Sequence, residues 1–372
     1  MRRERNYGID LLRIIAMWMV VILHVLGQGG VLNRAPLLSV RYETLWLLET
    51  LAYCAVNCYA LISGYVGLHS KFKISNIIGL WLQAVFYSVL VMVIFSVAVP
   101  GSVNADIVKR AFFPVASFQY WYFTAYFALF FFTPFLNHLI LTLPRQRAKQ
   151  LVFTLVLLLS VLPTLWHEDL FGTNVGYTPV WLAALYLLGA YVKKYETGRK
   201  RSAGKLLLWY LFFCVLSWAV HWALESLTLQ KTGEAQLGKY LTEYTSPTIL
   251  GAALALFLLF SNLNITSAFA KRCIGMLSPH AFGVYLIHTT PLIWVYLLYD
   301  RFAFFADHST KVCVLMVLGT ASAIYLACTA IDALRLGLFR LLHVRQLSLW
   351  AQEKLYALWN RLTADKSEPA LR

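Results

Sequence analysis

The chain consists largely of long apolar runs separated by short polar connections. Continuous stretches of about 18 or more apolar residues are typical of membrane-spanning helices, whereas membrane β-strands alternate in polarity over about ten residues. The pattern therefore predicts an all-α, polytopic membrane protein with about ten transmembrane helices. The predicted spans are 8–27, 44–66, 75–99, 121–141, 150–166, 177–192, 206–224, 245–262, 280–299 and 312–332.

Composition and charge agree with this class. Of the 372 residues, 60% are hydrophobic and 13% are charged, and the mean hydropathy of +0.65 excludes an ordinary soluble protein. A net charge of +15 would suggest nucleic-acid binding in a soluble protein. Here the ten spans place 23 Lys and Arg residues on one side of the membrane and 8 on the other, with Arg13 inside the first span. By the positive-inside rule, we expect both termini in the cytoplasm and no nucleic-acid partner.

The first apolar run carries three ionisable residues on one side. Arg13 and His24 are 11 residues apart, almost a whole number of helical turns, so their side chains share a face about 16 Å apart along the axis. Asp10 precedes Arg13 by three residues. Ionisable groups inside a membrane helix are costly and are usually functional. Two other interpretations stay open: Arg13 snorkels to the inner headgroups with Asp10 as partner, or His24 is a hydrogen-bonded packing residue.

The ends of this run also carry information. The leading residues MRRER resemble the start of a signal peptide, but the polar residues that follow predict a retained anchor helix. Glycines at 27 and 29–30 are expected to end the helix and to let another molecule approach the backbone.

The second span ends with Ser63, Gly64 and Tyr65, which we expect near the cytoplasmic side. Small residues at this position indicate close helix packing and also suit a cytoplasmic mouth. Lys71 and Lys73 follow, and they are interpreted either as contacts for phosphates or as topology charges on the membrane surface.

Two further groups of residues are candidates. Tyr120, Trp121 and Tyr122 begin the fourth span at the outer surface, where they fit either an aromatic belt or stacking on a sugar ring. His288 is a second intramembrane histidine, expected at mid-depth or farther inward, and it is either functional or a satisfied core residue. Pro291 follows it and predicts a bend in that helix.

The rest of the chain shows little that indicates chemistry. The six cysteines form no paired CxxC pattern, so the sequence predicts neither a zinc site nor a disulfide framework. No internal repeat is visible. Residues 336–372 carry apolar side chains at helical spacing among basic ones, which predicts an amphipathic tail helix on the inner membrane surface, beyond a membrane domain of residues 1–335.

Four motifs together resemble those of the acyltransferase-3 family of integral membrane acyltransferases. The first is an arginine followed by ten residues and a histidine, and the opening of the chain is most similar to the surface-polysaccharide O-acyltransferase branch. The motifs are Asp10-Leu11-Leu12-Arg13 with His24, Ile62-Ser63-Gly64-Tyr65, Trp121-Tyr122-Phe123 with Tyr126 and Pro134, and Tyr285-Leu286-Ile287-His288.

The resemblance implies an activity and its substrates. It implies ten helices in a bacterial plasma membrane, an acyl-CoA donor on the cytoplasmic side and an acceptor hydroxyl reached from the other side. The expected reaction moves an acyl group, in this family most often acetyl, to a cell-surface polysaccharide or related glycan. The expected partners are membrane lipid, acyl-CoA and the glycan, with acetyl-CoA as a co-substrate and no tightly bound cofactor or metal.

The resemblance also makes His24 and Arg13 the essential pair. An imidazole is suited to remove the proton of an acceptor hydroxyl or to help pass the acyl group, and a guanidinium is suited to bind the donor, with Asp10 orienting Arg13. The remaining expected contacts fall into two groups. The donor side comprises Arg13, Ser63, Tyr65, Lys71 and Lys73, and the acceptor side comprises Trp121, Tyr122, Tyr126 and His288.

Two other classes of function remain open at this stage. A transporter or permease of a small polar solute or sugar would line its path with Arg13, His24 and His288, although the lack of a visible repeat counts against it. A structural partner in an envelope assembly is the third hypothesis, and it would leave the ionisable stripe of the first span unexplained.

Overall fold

The computed structural model describes residues 5–198 and 201–363. The described residues are 78% helical and contain no strand, which confirms the all-α prediction. The α-helices are α1 Tyr7–Leu26, α2 Val31–Arg34, α3 Val40–Tyr53, α4 Ala55–Gly67, α5 Ile74–Ala98, α6 Ala105–Phe112, α7 Trp121–Thr142, α8 Arg145–Val156, α9 Leu162–Trp166, α10 Pro179–Tyr195, α11 Ala203–Thr232, α12 Pro247–Ser261, α13 Ala268–Leu277, α14 Ala281–His288, α15 Pro291–Ile293, α16 Thr310–Leu341 and α17 Val344–Thr363.

Among the described residues, seven helical segments are long and apolar enough to cross a membrane. An eighth arises if the helices Ala268–His288 and Pro291–Asp307, which meet at 65°, form one span. The other two predicted spans coincide with α10 and α12, which have 17 and 15 residues. The protein is therefore a multi-pass membrane protein, while the count of ten and the cytoplasmic termini stay predictions.

The bend predicted at Pro291 is confirmed. Helix α14 ends at His288, and the next helical turn begins at Pro291, because proline cannot donate the backbone hydrogen bond that would continue the helix. The carbonyl oxygen of Ile287 accepts a hydrogen bond from the Thr290 N–H at 3.2 Å, so the bend leaves it paired.

Helix α1 is the central helix of the fold. It packs against α3, α4, α12, α13, α14 and α16, and the side chain of Asn6 caps its first turn by accepting the Ile9 N–H. Near its N-terminal end, a Cβ added at Gly8 would lie 2.1 Å from the Phe260 carbonyl oxygen, so glycine is needed for the approach of α12.

Helices α4 and α10 approach each other closely through two glycines. A Cβ at Gly64 would lie 1.9 Å from the Tyr186 carbonyl oxygen, and a Cβ at Gly189 would lie 2.1 Å from the Leu61 carbonyl oxygen. Each glycine therefore receives the backbone of the opposite helix, as small residues do in membrane helix packing. This confirms the close packing predicted at the end of the second span.

The C-terminal end of α1 is joined to the loop that follows α15. The Gln28 carbonyl accepts the Asp300 N–H at 3.0 Å, and the Gly29 carbonyl accepts the Phe302 N–H at 2.9 Å. Gly30 has φ +84°, and a Cβ there would lie 2.5 Å from the Asp300 carboxylate. The glycines do permit a close approach, as predicted, but the approaching backbone is the chain's own.

A buried ionic network holds α5, α16 and the residues just before α14 together. The Asp332 carboxylate is inaccessible and accepts hydrogen bonds from Gln83 at 3.0 Å, Tyr87 at 2.7 Å and the two-pronged Arg335 at 3.0 and 2.9 Å. His280 Nδ1 lies 2.6 Å from the same carboxylate. Because His280 directly precedes α14, this network fixes the helix that carries His288.

The predicted tail forms a helix. Helix α16 continues through the expected domain boundary at 335/336 as far as Leu341, and α17 then packs along α5. The side-chain oxygen of Gln352 accepts the Ser75 N–H at 3.0 Å. Helix α17 matches the amphipathic helix expected there, and residues 364–372 of the predicted tail lie outside the described residues.

Candidate functional site

An internal cavity of about 590 Å³ follows one face of α1. It is bordered by Arg13 in the N-terminal half of α1, by His24 near the C-terminal end of that helix and by Gln28 just beyond it, which confirms that Arg13 and His24 share a face. Other helices complete its walls. The predicted site residues that border this cavity are Arg13, His24, Ser63, Trp121, Tyr122 and Tyr126.

His24 is part of a directed hydrogen-bond chain. His24 Nδ1 lies 2.9 Å from His288 Nε2, and His288 Nδ1 lies 2.6 Å from the Val284 carbonyl oxygen. A carbonyl oxygen only accepts, so Nδ1 of His288 carries the proton, and Nε2 of a neutral His288 accepts from His24 Nδ1. Nε2 of His24 is then left without a proton, which is the form of imidazole that acts as a base.

The structure places His288 beside His24. His288 is 1% exposed and lies at the level of His24 along α1, near the C-terminal end of that helix, while its depth in the membrane stays a prediction. It is not among the residues that border the cavity, so it reaches an acceptor only through His24. The contact joins residues 264 positions apart, and no local pattern in the sequence indicates it.

An arginine–aspartate–arginine triad lies at the end of the cavity nearest the N-terminus of α1. Asp10 Oδ1 accepts a hydrogen bond from Arg13 Nη1, and Asp10 Oδ2 accepts one from Arg5 Nε, each at 2.5 Å. The Tyr59 hydroxyl donates to the Arg13 carbonyl oxygen, also at 2.5 Å. Asp10 is thus placed to orient Arg13, as predicted from the sequence. The contact with Arg5 was not predicted, because Arg5 contributed only to the positive charge of the N-terminal segment.

A second, polar cavity of about 750 Å³ lies beside the N-terminal end of α1. It is bordered by Arg5 and by two lysines that lie over aromatic rings. The Lys193 ammonium is 4.6 Å from the Tyr65 ring centre, and the Lys271 ammonium is 5.6 Å from the Tyr7 ring centre. Asp10 therefore connects Arg5 on this cavity to Arg13 on the internal cavity.

The residues expected to contact the donor lie in different parts of the structure. Tyr65 borders the polar cavity and Ser63 borders the internal cavity. Lys71 and Lys73 are exposed and border neither cavity, so the structure does not bring them to the rest of the site. Their donor role stays a prediction.

The aromatic residues at the start of α7 face inward. Tyr120 is 1% exposed and its hydroxyl lies 2.9 Å from the Thr290 hydroxyl, so it is a core residue rather than a membrane-belt residue. Trp121 and Tyr122 border the internal cavity, and the Trp121 ring centre is 4.3 Å from that of Tyr177. This placement agrees with the stacking interpretation for Trp121 and Tyr122.

Two charged residues on the cavity wall were not identified from the sequence. Glu49 lies on α3 and Lys239 lies in the connection between α11 and α12, and both border the internal cavity. Glu49 falls inside the predicted span 44–66. An ionisable residue within a membrane span is costly and usually functional, so the reasoning applied to His24 would also have identified Glu49. Lys239 falls between spans and carries no comparable signal.

Fold and site together define a multi-pass membrane protein with a histidine pair and an arginine triad along one internal cavity. The family model described as an acyltransferase domain, that of the acyltransferase-3 family, matches residues 6–331, so the chain belongs to this family. The protein is accordingly a membrane acyltransferase. No curated protein and no solved structure matches the chain. The matched range includes both histidines, Asp10 and Arg13 of the triad, and every residue named on the internal cavity, whereas Arg5 directly precedes it.

Proposed function

We propose that the protein is an O-acyltransferase of a bacterial plasma membrane that moves an acetyl group from acetyl-CoA in the cytoplasm to a hydroxyl of a cell-surface glycan. The observation that carries this proposal is the hydrogen-bond chain from Val284 through His288 to His24. It leaves an imidazole base on the wall of a cavity that runs along most of α1.

The polar cavity suits the nucleotide end of the donor. Arg5, Lys193 and Lys271 border it, and their cations match the phosphates of coenzyme A. Arg13 lies farther along α1, so the thioester arm passes from this cavity along the helix toward His24. The distance from Arg13 to His24 is about 16 Å along a regular helix, which suits an extended carrier arm.

His24 acts as the general base in the proposed transfer. Its Nε2 removes the proton of the acceptor hydroxyl while the hydroxyl oxygen attacks the thioester carbonyl carbon. A new C–O ester bond forms, the C–S bond breaks, and the departing sulfur takes the proton back from His24 Nε2. While His24 is charged, its Nδ1–H donates to His288 Nε2, and this hydrogen bond is stronger because the donor is cationic.

The acceptor reaches this position from the outer side. Gln28 borders the outer end of the cavity and is exposed, whereas the donor groups lie at the opposite end of α1. In the orientation that the positive-inside rule predicts, donor and acceptor therefore meet at His24 from opposite sides of the membrane.

The proposal is tested with the full-length protein in lipid nanodiscs, radiolabelled acetyl-CoA and surface glycan from bacterial cells. We expect base-labile label on the glycan with the native chain and at least 100-fold less with His24→Gln, because a general base contributes about 10²–10⁴-fold to the rate. His138→Gln is the matched control, since His138 is exposed on α7 and borders neither cavity. Equal labelling by His24→Gln and the native chain would contradict the proposal, and solute uptake into liposomes without acetyl-CoA would favour transport.

A further inference from the structure

The outer part of the internal cavity contains a carboxylate that the transfer chemistry does not use. Glu49 is 8% exposed and borders the cavity, and its Oε2 is buried without a hydrogen-bond partner among the described residues. A buried carboxylate oxygen without a hydrogen-bond partner is energetically unfavourable unless a bound molecule supplies that partner. A hydroxyl group of a bound molecule would do so, because a hydroxyl can donate to a carboxyl oxygen and can also accept from a carboxyl O–H.

Aromatic rings form a continuous wall in the same cavity. Trp121 lies 4.3 Å from Tyr177 and 5.9 Å from Tyr244, and Tyr244 lies 5.0 Å from Tyr53, measured between ring centres. All four rings border the cavity. Tyr53 follows Glu49 by four residues on α3, so ring and carboxylate project from the same face of that helix.

The charges in this region favour a neutral ligand. Lys239 borders the same cavity and acts electrostatically on Glu49. Because the lysine and the glutamate act on a charged ligand in opposite directions, neither a cation nor an anion gains a net electrostatic attraction from the pair. A neutral molecule with several hydroxyl groups can donate to the carboxylate and accept from the ammonium.

We propose that Glu49 and the aromatic wall form the acceptor subsite and that this subsite binds a neutral pyranose ring. This inference rests on the proposed transfer reaction. The apolar face of the sugar lies on the wall of Tyr53, Trp121, Tyr177 and Tyr244, and neighbouring hydroxyl groups donate to Glu49. Because His24 borders the same cavity, a further hydroxyl of the ring reaches its Nε2. The subsite therefore selects sugars by charge and by the presence of adjacent hydroxyls.

Saturation-transfer difference NMR on the full chain in nanodiscs, without any donor, tests the subsite. The probes are methyl α-D-glucopyranoside, which is neutral, glucosamine, which is cationic, and glucuronate, which is anionic. We expect binding of the neutral glycoside, at least tenfold weaker binding with Glu49→Gln, and weaker binding with Trp121→Leu. Glu43→Gln is the matched control, because Glu43 lies on the same helix but does not border the cavity.

The outcomes separate this inference from the proposed function. Preferential binding of glucosamine or glucuronate, equal effects of Glu49→Gln and Glu43→Gln, or no sugar binding by the native chain would each overturn the subsite. Transfer of label from acetyl-CoA is measured in parallel with the same preparations. If acetyl transfer occurs but Glu49→Gln leaves the acceptor KM unchanged, only the subsite proposal is refuted. If sugar binding depends on Glu49 but no transfer is detected, only the proposed function is refuted.

Discussion

The substitution His288→Leu removes the group that accepts the Nδ1 proton of His24 without changing the cavity wall. In the native protein this contact is 2.9 Å long, and it becomes a hydrogen bond from a charged donor when His24 holds the acceptor's proton. A hydrogen bond from a charged donor contributes about 1.5–3 kcal/mol, whereas the same bond from the neutral His24 of the ground state contributes about 0.5–1.5 kcal/mol. Only the difference, about 1–1.5 kcal/mol, changes the barrier, and about 1.36 kcal/mol corresponds to a tenfold change in rate. The expected result is a fall in kcat of roughly 5- to 13-fold. The KM values for donor and acceptor should change little, because His288 borders neither cavity.

The assay is acetyl transfer in nanodiscs with both substrates varied, after size-exclusion chromatography and thermal unfolding have shown that each variant is folded. His288→Gln is the conservative variant, since its amide oxygen can accept the His24 Nδ1 proton, and it should recover most of the lost rate. His138→Leu tests the loss of an exposed histidine. A folded His288→Leu protein with native kcat would refute the proposed role, and a glutamine variant as slow as the leucine variant would reduce His288 to a packing residue.

Three further substitutions test the packing and the donor cavity. Gly64→Ala should lower the free energy of unfolding by about 1–3 kcal/mol, measured by thermal unfolding, because its Cβ would overlap the backbone of α10. Asp332→Asn should cost about 3–5 kcal/mol in the same measurement, because it leaves the buried Arg335 guanidinium without its counter-charge. Lys271→Ala should raise the KM for acetyl-CoA roughly tenfold with little change in kcat, through loss of a phosphate contact.

Each of these substitutions has a matched control. Gly79→Ala places a Cβ in open space on α5, so it should not destabilise the protein. Asp106→Asn breaks an exposed pair with Arg110 and should cost less than about 1 kcal/mol. Lys73→Ala removes an exposed lysine and should leave the KM for acetyl-CoA unchanged. If Lys73→Ala raises that KM and Lys271→Ala does not, the donor lies against the lysines predicted from the sequence.

The features predicted correctly from the sequence are those that depend on one helix. Arg13 and His24 face the same cavity because their spacing matches the helical repeat, and that repeat is a property of the local backbone. The bend at Pro291 follows from the missing N–H of one residue. The close approach at Gly64 follows in the same way from its missing Cβ.

The features that could not be predicted depend on packing between distant segments. His288 was recognised as an intramembrane histidine, but its contact with His24 exists only because α14 packs against α1. Likewise, Asp332 lies at the end of a predicted span, and its partners come from α5, α16 and the residues before α14. Glu49 is different, because its position inside an apolar predicted span was sufficient to identify it as a candidate functional residue.

The backbone contacts between Gln28–Gly30 and the loop at Asp300–Phe302 have a consequence for how the enzyme family can diversify. They tie the C-terminal end of α1, which carries His24, to the segment that follows His288, so main-chain atoms help to hold the two histidine-bearing segments together. The glutamate and most of the aromatic wall belong to α3, α7 and the loops beside α10 and α12. Side chains in the recognition surface can therefore be exchanged without moving the base, and a new acceptor specificity needs no change in the reacting centre.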